Sequence, residues 1–318
     1  MSPRPLRLGV ICAGQGEQGD IDFAAIAPRQ DDPPEVAALW RETSECVGAD
    51  WAEFWQALSA GGRQSNQIAQ LAVVLYQSVR WLRLRSRLPA PSWVLGYSIG
   101  ELTAHGLAGS LDFAALPALA AARGAAMDRA YPPAGGACLV LLGERLPPLT
   151  RARRDAALAA LGLELAIERS AQEQIWGADA QSVAAFLEAS HQVGWGARAL
   201  RVHVPSHTRW MSSAQAAWRA ALGAAKPRAP VVGMLAGIDA APVRSADGVI
   251  ETLVRQLAEP IRWADCLEAI AEHGVTHVLD LGPGGDQGRL AAAALPNLNI
   301  VDPDNLQDLS GLIGAVDD

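Results

Sequence analysis

The sequence predicts an α/β protein built on a largely parallel sheet. Short apolar runs alternate along the chain with long Ala/Leu-rich helical stretches, the order that parallel strands joined by crossover helices require. Gly- and Pro-containing turns punctuate the ends of these runs. Half of the 318 residues are hydrophobic and 19% are charged, enough to cover both faces of such a sheet and too apolar for a disordered chain.

The elements follow in order. Residues 6–12 read as a buried strand closed by the turn Gly14-Gln15-Gly16, and the acidic, Pro-containing stretch 20–34 as a surface loop. Residues 64–84 read as a helix and 93–96 as a short strand. A helix opens over 100–108, and 113–130 continue helical. Strands at 137–142 and 163–167 flank a helical stretch at 150–160. Further strands are expected at 199–204, 231–235 and 275–281, and 302–318 read as a short polar tail with room for one packed turn. The section 130–202 has its own strand–helix–strand rhythm, with Pro132-Pro133 and residues 194–196 at its ends. It is expected to be a small inserted subdomain, leaving 1–129 and 203–318 as a large α/β domain.

The balance of 26 basic against 34 acidic residues, a net charge of −8, argues against general nucleic-acid binding. Cys12, Cys46, Cys138 and Cys266 are far apart with no CxxC spacing. No zinc or disulfide framework is expected, and a reducing cytoplasm fits. The apolar run at residues 8–13 is too short for a signal segment, and no later stretch is long enough to span a membrane.

Gly96-Tyr97-Ser98-Ile99-Gly100 follows an apolar strand and precedes a helix. This is the context in which GxSxG makes a nucleophile elbow. The sharp turn demands small residues two positions either side of Ser98. The following helix start favours a developing negative charge, and the Ile99 N–H would be one oxyanion donor. A serine needs a base. Of six histidines, His207 is preferred, because it sits in a loop at the end of an expected strand, where sheet enzymes place catalytic groups. His203, alternating with Val202 and Val204, is the alternative and reads better as half-buried and structural. Asp280 is the best-placed carboxylate for a third member, but a turn-capping role suits it better. Gly14, Gly16 and Gly19 have dinucleotide-motif spacing, yet Asp20 and Asp22 follow and no ribose-binding acid lies at the required distance. A better use of the turn is the Gln15 N–H as a second oxyanion donor. Arg123, set among alanines, reads first as a surface residue, with a buried anion clamp as the alternative. Arg80, Arg83, Arg85 and Arg87 form either a basic docking face or an ordinary solvated helix face.

Taken together, Gly14-Gln15-Gly16-x-Gln18, residues 96–101, Arg123-Gly124-x-x-Met127, Ser206-His207-Thr208 and Leu281-Gly282-Pro283-Gly284 resemble the malonyl-CoA:acyl carrier protein transacylases over nearly the whole chain. Residues 204–208, 261–266 and 301–306 look most like the epsilon subunit of malonate decarboxylase. The resemblance implies an α/β-hydrolase-like large domain with a ferredoxin-like insert. It implies Ser98 as the acylated nucleophile, His207 as its base, Arg123 on the malonyl carboxylate, and the Gln15 and Ile99 amides as the oxyanion hole. Gln70 matches a glutamine near the site. A backbone carbonyl in the segment 259–263 would orient the histidine, with Arg262 at a position usually held by glutamine. Malonyl-CoA and an acyl carrier protein, in particular the malonate decarboxylase carrier, are the implied partners. No resident cofactor or metal is implied, since the coenzyme A thioester is a substrate. The chain departs from the family pattern at Cys12-Ala13, at Tyr97 and at Ser206, where a smaller residue could admit a substituted malonyl group. It also departs at 168–172, where a usual Asn-containing stretch is replaced. Rival readings are a transacylase of fatty-acid or polyketide synthesis, a serine esterase or thioesterase, and a non-catalytic structural subunit.

Overall fold

The computed structural model describes residues 5–16, 23–50, 53, 56, 65–132, 136–143, 148–193 and 196–314. Gln18, Gly19, Asp20 and Asp22, the Pro133 boundary and residues 194–195 of the Gly-rich boundary lie outside them.

Two five-stranded sheets organise the chain. The first has the order β10-β9-β1-β2-β7 and is parallel throughout. It is built from β1 (Leu8–Cys12), β2 (Trp93–Gly96), β7 (Gly233–Leu235), β9 (His277–Asp280) and β10 (Asn299–Val301). β1 is the central strand, with Val10 opposite both Val94 and Leu279, and all five of its residues are buried. A strand covered on both faces has no polar side to show, which is why it reads as a continuous apolar run. The second sheet has the order β6-β3-β5-β4-β8, from β3 (Leu139–Gly143), β4 (Glu164–Glu168), β5 (Glu173–Gly177), β6 (Ala197–Ala199) and β8 (Ile261–Arg262). Its β3–β6 pairs are antiparallel, while β8 joins β4 in parallel. The second sheet therefore borrows one strand from far downstream in the chain.

The helices are α1 (Phe23–Ile26), α2 (Pro34–Val47), α3 (Asn66–Leu84), α4 (Gly100–Leu107), α5 (Leu116–Ala130), α6 (Pro148–Ala160), α7 (Ala180–Val193), α8 (Gln215–Ala224), α9 (Ala246–Arg255), α10 (Trp263–Glu272), α11 (Asp286–Ala294) and α12 (Leu306–Gly314). α3 is buried almost around its whole circumference. α5 crosses it so closely that a Cβ at Gly124 would stand 2.5 Å from Gln67 backbone atoms. Gly124→Ala is expected to cost about 1–3 kcal/mol of stability, because a backbone cannot yield as a flexible side chain can. Denaturant unfolding of the variant measures it. A separate apolar cluster of Val140, Leu142, Leu158, Leu163, Trp176, Val183 and Phe186 fills the small sheet and its helices.

Several expectations need correction. The parallel order holds for the first sheet, whereas the second is mostly antiparallel. β5 and α7 lie within the section 168–193, where the sequence predicts no element, because the polar Glu173 and Gln174 leave β5 only a short apolar centre. The strand expected at 199–204 ends at Ala199, although Leu200 N–H still donates to Leu139 O and Val202 O accepts from Cys138 N–H. The chain bends at Arg201, out of the small sheet and towards the large one. The strand at 231–235 begins only at Gly233, and Val231 is exposed. Part of the stretch 302–318 forms α12, with Leu309 and Leu312 buried. Residues 23–26 of the expected 20–34 loop are helical, and α2 begins at Pro34. Among the described residues, no helix is long and apolar enough to cross a membrane.

Candidate active site

The carboxyl ends of β1 and β2 lie side by side, and the chemistry-bearing residues gather there. Tyr97 N–H donates to Cys12 O at 2.9 Å, which pins the elbow to the end of β1. Ser98 has φ 57, a left-handed conformation costing about 1–2 kcal/mol for a non-glycine residue. The turn is tight enough that a Cβ at Gly96 would meet Glu101 backbone at 2.1 Å, and one at Gly100 would meet Cys12 O at 2.2 Å. Both glycines of GxSxG are thus required sterically. Tyr97 is buried, with its ring edge-on to Trp263 at 5.2 Å.

His207 also has positive φ, at 62, and is held by its N–H donating to Leu257 O at 2.9 Å. Its Nε2 lies 2.8 Å from Ser98 Oγ, across 109 positions of sequence. Its Nδ1 lies 2.6 Å from Gln256 O. A carbonyl only accepts, so Nδ1 carries the proton and Nε2 turns its lone pair to the serine. Burial, and then the charge of Arg123, push the imidazole pKa down to about 3, so at neutral pH it is an unprotonated base. Acylation of Ser98 is therefore expected to stay level as pH falls through 6.5, where an ordinary histidine titrates. A stopped-time acylation profile between pH 5 and 7.5 measures this, and a half-point near 6.5 would contradict it. Stability should run with opposite comfort. The unfolded chain takes the proton at about 6.5 and the folded one resists it, so stability is lost as pH falls from there towards 3.

The other histidines stand elsewhere. His203 Nδ1 meets Gly136 O at 2.8 Å, His105 meets Ser110, His273 stacks on Trp93, and His277 meets Thr276 and Asn299. Asp280 does not join the histidine. Its two oxygens accept from Gly282 and Gly288 N–H groups at 3.0 and 2.7 Å, which makes it the cap of its own loop.

Arg123 comes from α5 and is 2% exposed. Nη1 donates to Gln70 Oε1 at 2.9 Å and Nη2 to Gln256 Oε1 at 3.0 Å; Met127 Sδ lies 3.4 Å from Nη1. Both oxygens belong to neutral amides. Burial lowers the guanidinium to about 10, so it is still charged at pH 7, and it forms no ion pair among the described residues. The surface reading of Arg123 is overturned: a buried cation held only by neutral groups is incomplete without an anion.

Gln15 sits in the turn after β1, with its Nε2 donating to Asn66 Oδ1 at 3.1 Å and Asn66 Nδ2 donating to Asp128 Oδ1 at 2.6 Å. This chain ties the turn to α3 and α5. A Cβ at Gly14 would be 2.7 Å from Tyr97 O and 3.3 Å from Ser98 Cβ, so the turn lies directly against the elbow. Ile99 immediately precedes α4, where helix amides point outward.

Arg262 is not part of the constellation. Its side chain is exposed and faces Asp265, and its N–H donates to Gly237 O. β8 pairs with β4 and draws Arg262 to the small sheet, whereas α9 ends at Arg255 and presents the next carbonyl, that of Gln256, to His207. The sequence reading missed Gln256. One polar residue after an amphipathic helix carries no local signal of its use. The arginines of the candidate basic face, for which an ordinary helix face is the favoured reading, are largely neutralised: Arg80 pairs with Asp304, Arg83 with Asp32 and Arg85 with Glu35 at 2.6–2.7 Å.

A serine on a strand-to-helix elbow, hydrogen-bonded to a neutral histidine, with a buried cation alongside, is the apparatus of an enzyme that carries acyl groups on a serine. Comparison with known proteins names the group: residues 31–284 match the acyl transferase domain family, and the chain belongs to that family and is an acyltransferase. It is 32% identical over 312 residues to the malonyl CoA-acyl carrier protein transacylase of Mycobacterium bovis, covering 96% of this chain and all of the relative. It is 28% identical to the protein of that name from Escherichia coli K12, over 86% of this chain and 88% of the relative. Among solved structures, a malonyl-CoA:acyl carrier protein transacylase from Xanthomonas oryzae superposes with TM-score 0.82 at 26% identity, covering 98% and 99% of the two chains. A malonyl-transacylase in complex with a type II PKS acyl-carrier protein does so with TM-score 0.81 at 25% identity, over 97% and 99%.

Proposed function

We propose that this acyltransferase moves a malonyl group from malonyl-CoA to the thiol of an acyl carrier protein through a malonyl-Ser98 ester. The observation that carries the reading is the buried Arg123 guanidinium, held by two neutral amides beside the Ser98–His207 pair. It suits an acyl group that ends in a carboxylate. Ser98 Oγ attacks the thioester carbonyl as His207 Nε2 takes its proton. The Gln15 and Ile99 amides hold the tetrahedral oxyanion. The C–S bond then breaks, and the proton passes from His207 to the departing coenzyme A thiolate. The carrier thiol repeats the sequence on the ester, returning Ser98 to its hydroxyl form. The Gln256 carbonyl keeps the imidazole in the working tautomer, and Gln70 holds Arg123. The scheme draws on no resident cofactor.

Within this activity the finer reading is the epsilon subunit of malonate decarboxylase, on the likeness of residues 204–208, 261–266 and 301–306. The competing reading is fatty-acid or polyketide synthesis, and the relative solved with a type II PKS acyl-carrier protein supports its polyketide form. We also assign residues 1–129 and 203–318 to the catalytic domain and 130–202 to a ferredoxin-like insert. The β–α–β–β–α–β order from β3 to β6 and its separate apolar cluster support this. Intact-mass measurement after mixing with malonyl-CoA, then with each candidate carrier, tests the function. No malonyl adduct would refute the transfer, and discharge to a fatty-acid carrier alone would refute the decarboxylase assignment.

A further inference from the structure

Glu101 is wholly buried one turn beyond the nucleophile, and the scheme above gives it no duty. Its Oε2 accepts from Gly237 N–H at 3.2 Å and from Gln256 Nε2, while Oε1 has no hydrogen-bond partner among the described residues. Gln256, also wholly buried, is therefore a bridge. Its amide oxygen accepts from Arg123 Nη2 at 3.0 Å, and its amide nitrogen donates to Ser98 O at 3.2 Å and to Glu101.

The two ends of that amide are alike in size and opposite in hydrogen bonding. A guanidinium only donates. Turned over, the Gln256 amide would aim its NH2 at Arg123 and its oxygen at the Ser98 carbonyl, leaving donor against donor and acceptor against acceptor at a fully buried position. The acceptors at the far end decide which way the amide lies. Glu101 is the one contributed by a side chain.

We propose that Glu101 is a positioning residue that, through the Gln256 amide, holds the Arg123 guanidinium at the angle at which it receives the carboxylate of the acyl group. This inference rests on the function proposed above. Two details agree with it. Gln70 grips Nη1 from the other edge, so the guanidinium is clamped between two amide oxygens of which Glu101 orients one. Burial also pushes the Glu101 carboxyl up to about 8. At pH 7 it is chiefly the neutral acid, an acceptor that anchors Gln256 without competing as an anion for Arg123.

The test compares the unaltered protein with Glu101→Gln and Glu101→Leu. Acylation of Ser98 is followed by intact mass at stopped times over a range of malonyl-CoA and, separately, acetyl-CoA concentrations. Glu101→Gln keeps a carbonyl oxygen for Gln256, and should hold the malonyl-to-acetyl preference within about threefold. Glu101→Leu removes the acceptor. It should lower that preference about tenfold or more, chiefly through a higher KM for malonyl-CoA, with a smaller loss of acetyl transfer. A general loss of structure would lower both substrates together. Glu101→Leu retaining the preference overturns the inference, and so does Glu101→Gln losing it. Should Glu101→Leu not fold, as circular dichroism would show, Glu101→Gln decides alone by the same preference. Failure of the unaltered protein to form a malonyl adduct refutes the proposed function instead, so the two failures are distinct.

Discussion

Ser98→Ala is expected to form no acyl adduct with malonyl-CoA and to lose transfer on the order of a million-fold, the scale on which deleting the nucleophile of a serine–histidine pair acts. The reason is covalent. His207 Nε2 stands 2.8 Å from Ser98 Oγ, and the elbow's other hydroxyl belongs to Tyr97, a buried ring packed edge-on against Trp263. The fold should survive the change. The elbow is held by Tyr97 N–H on Cys12 O and by the close contacts of Gly96 and Gly100, none of which involves the hydroxyl. Alanine in the left-handed conformation at φ 57 replaces one Cβ-bearing residue with another, so the backbone strain is nearly unchanged. Intact mass and a thermal melt are measured together: a folded variant with no added malonyl mass is the expected result. A malonyl adduct on folded Ser98→Ala would remove Ser98 from the reaction.

Arg123→Ala is expected to separate the two halves of the site. Truncating one partner of a buried charge-assisted contact costs roughly 2–5 kcal/mol, which is about 30- to 4,000-fold in rate. Malonyl transfer should fall by that much. Acetyl transfer, which brings no carboxylate, should fall far less. Removing the guanidinium also strands the Gln70 and Gln256 oxygens that it satisfies, and that general cost falls on both substrates. The ratio of the two rates is therefore the measurement, and equal losses would end the carboxylate role. Arg123→Lys is not a rescue, because an ammonium offers neither the planar fork nor the reach to both amides.

Much of this protein is legible in its linear order. β2 and the elbow stand where residues 93–100 put them, because a strand, a turn needing small residues and a helix start are local events, each decided by a few neighbouring side chains. His207 is also favoured by position alone, yet its separation from His203 is only four residues. What distinguishes them is that His203 turns to Gly136 O while His207 turns to Ser98. Arg123 shows the opposite case. Alanine neighbours suit a surface helix as well as a buried one, and only the crossing of α5 over α3 at Gly124 puts its guanidinium against Gln70.

The chain order by itself determined the parallel sheet, the nucleophile elbow and the choice of serine, since these depend on periodicity and on turn geometry within a few residues. The tertiary structure alone decided that Gln256 rather than Arg262 meets the imidazole, that Arg123 is buried without a counter-ion among the described residues, and that the Arg80–Arg87 run is largely spent on ion pairs. Each of these depends on which segment arrives opposite another across 49 positions, from His207 to Gln256, or more, as from Arg80 to Asp304, and packing between distant elements leaves no periodic trace in the residues that meet.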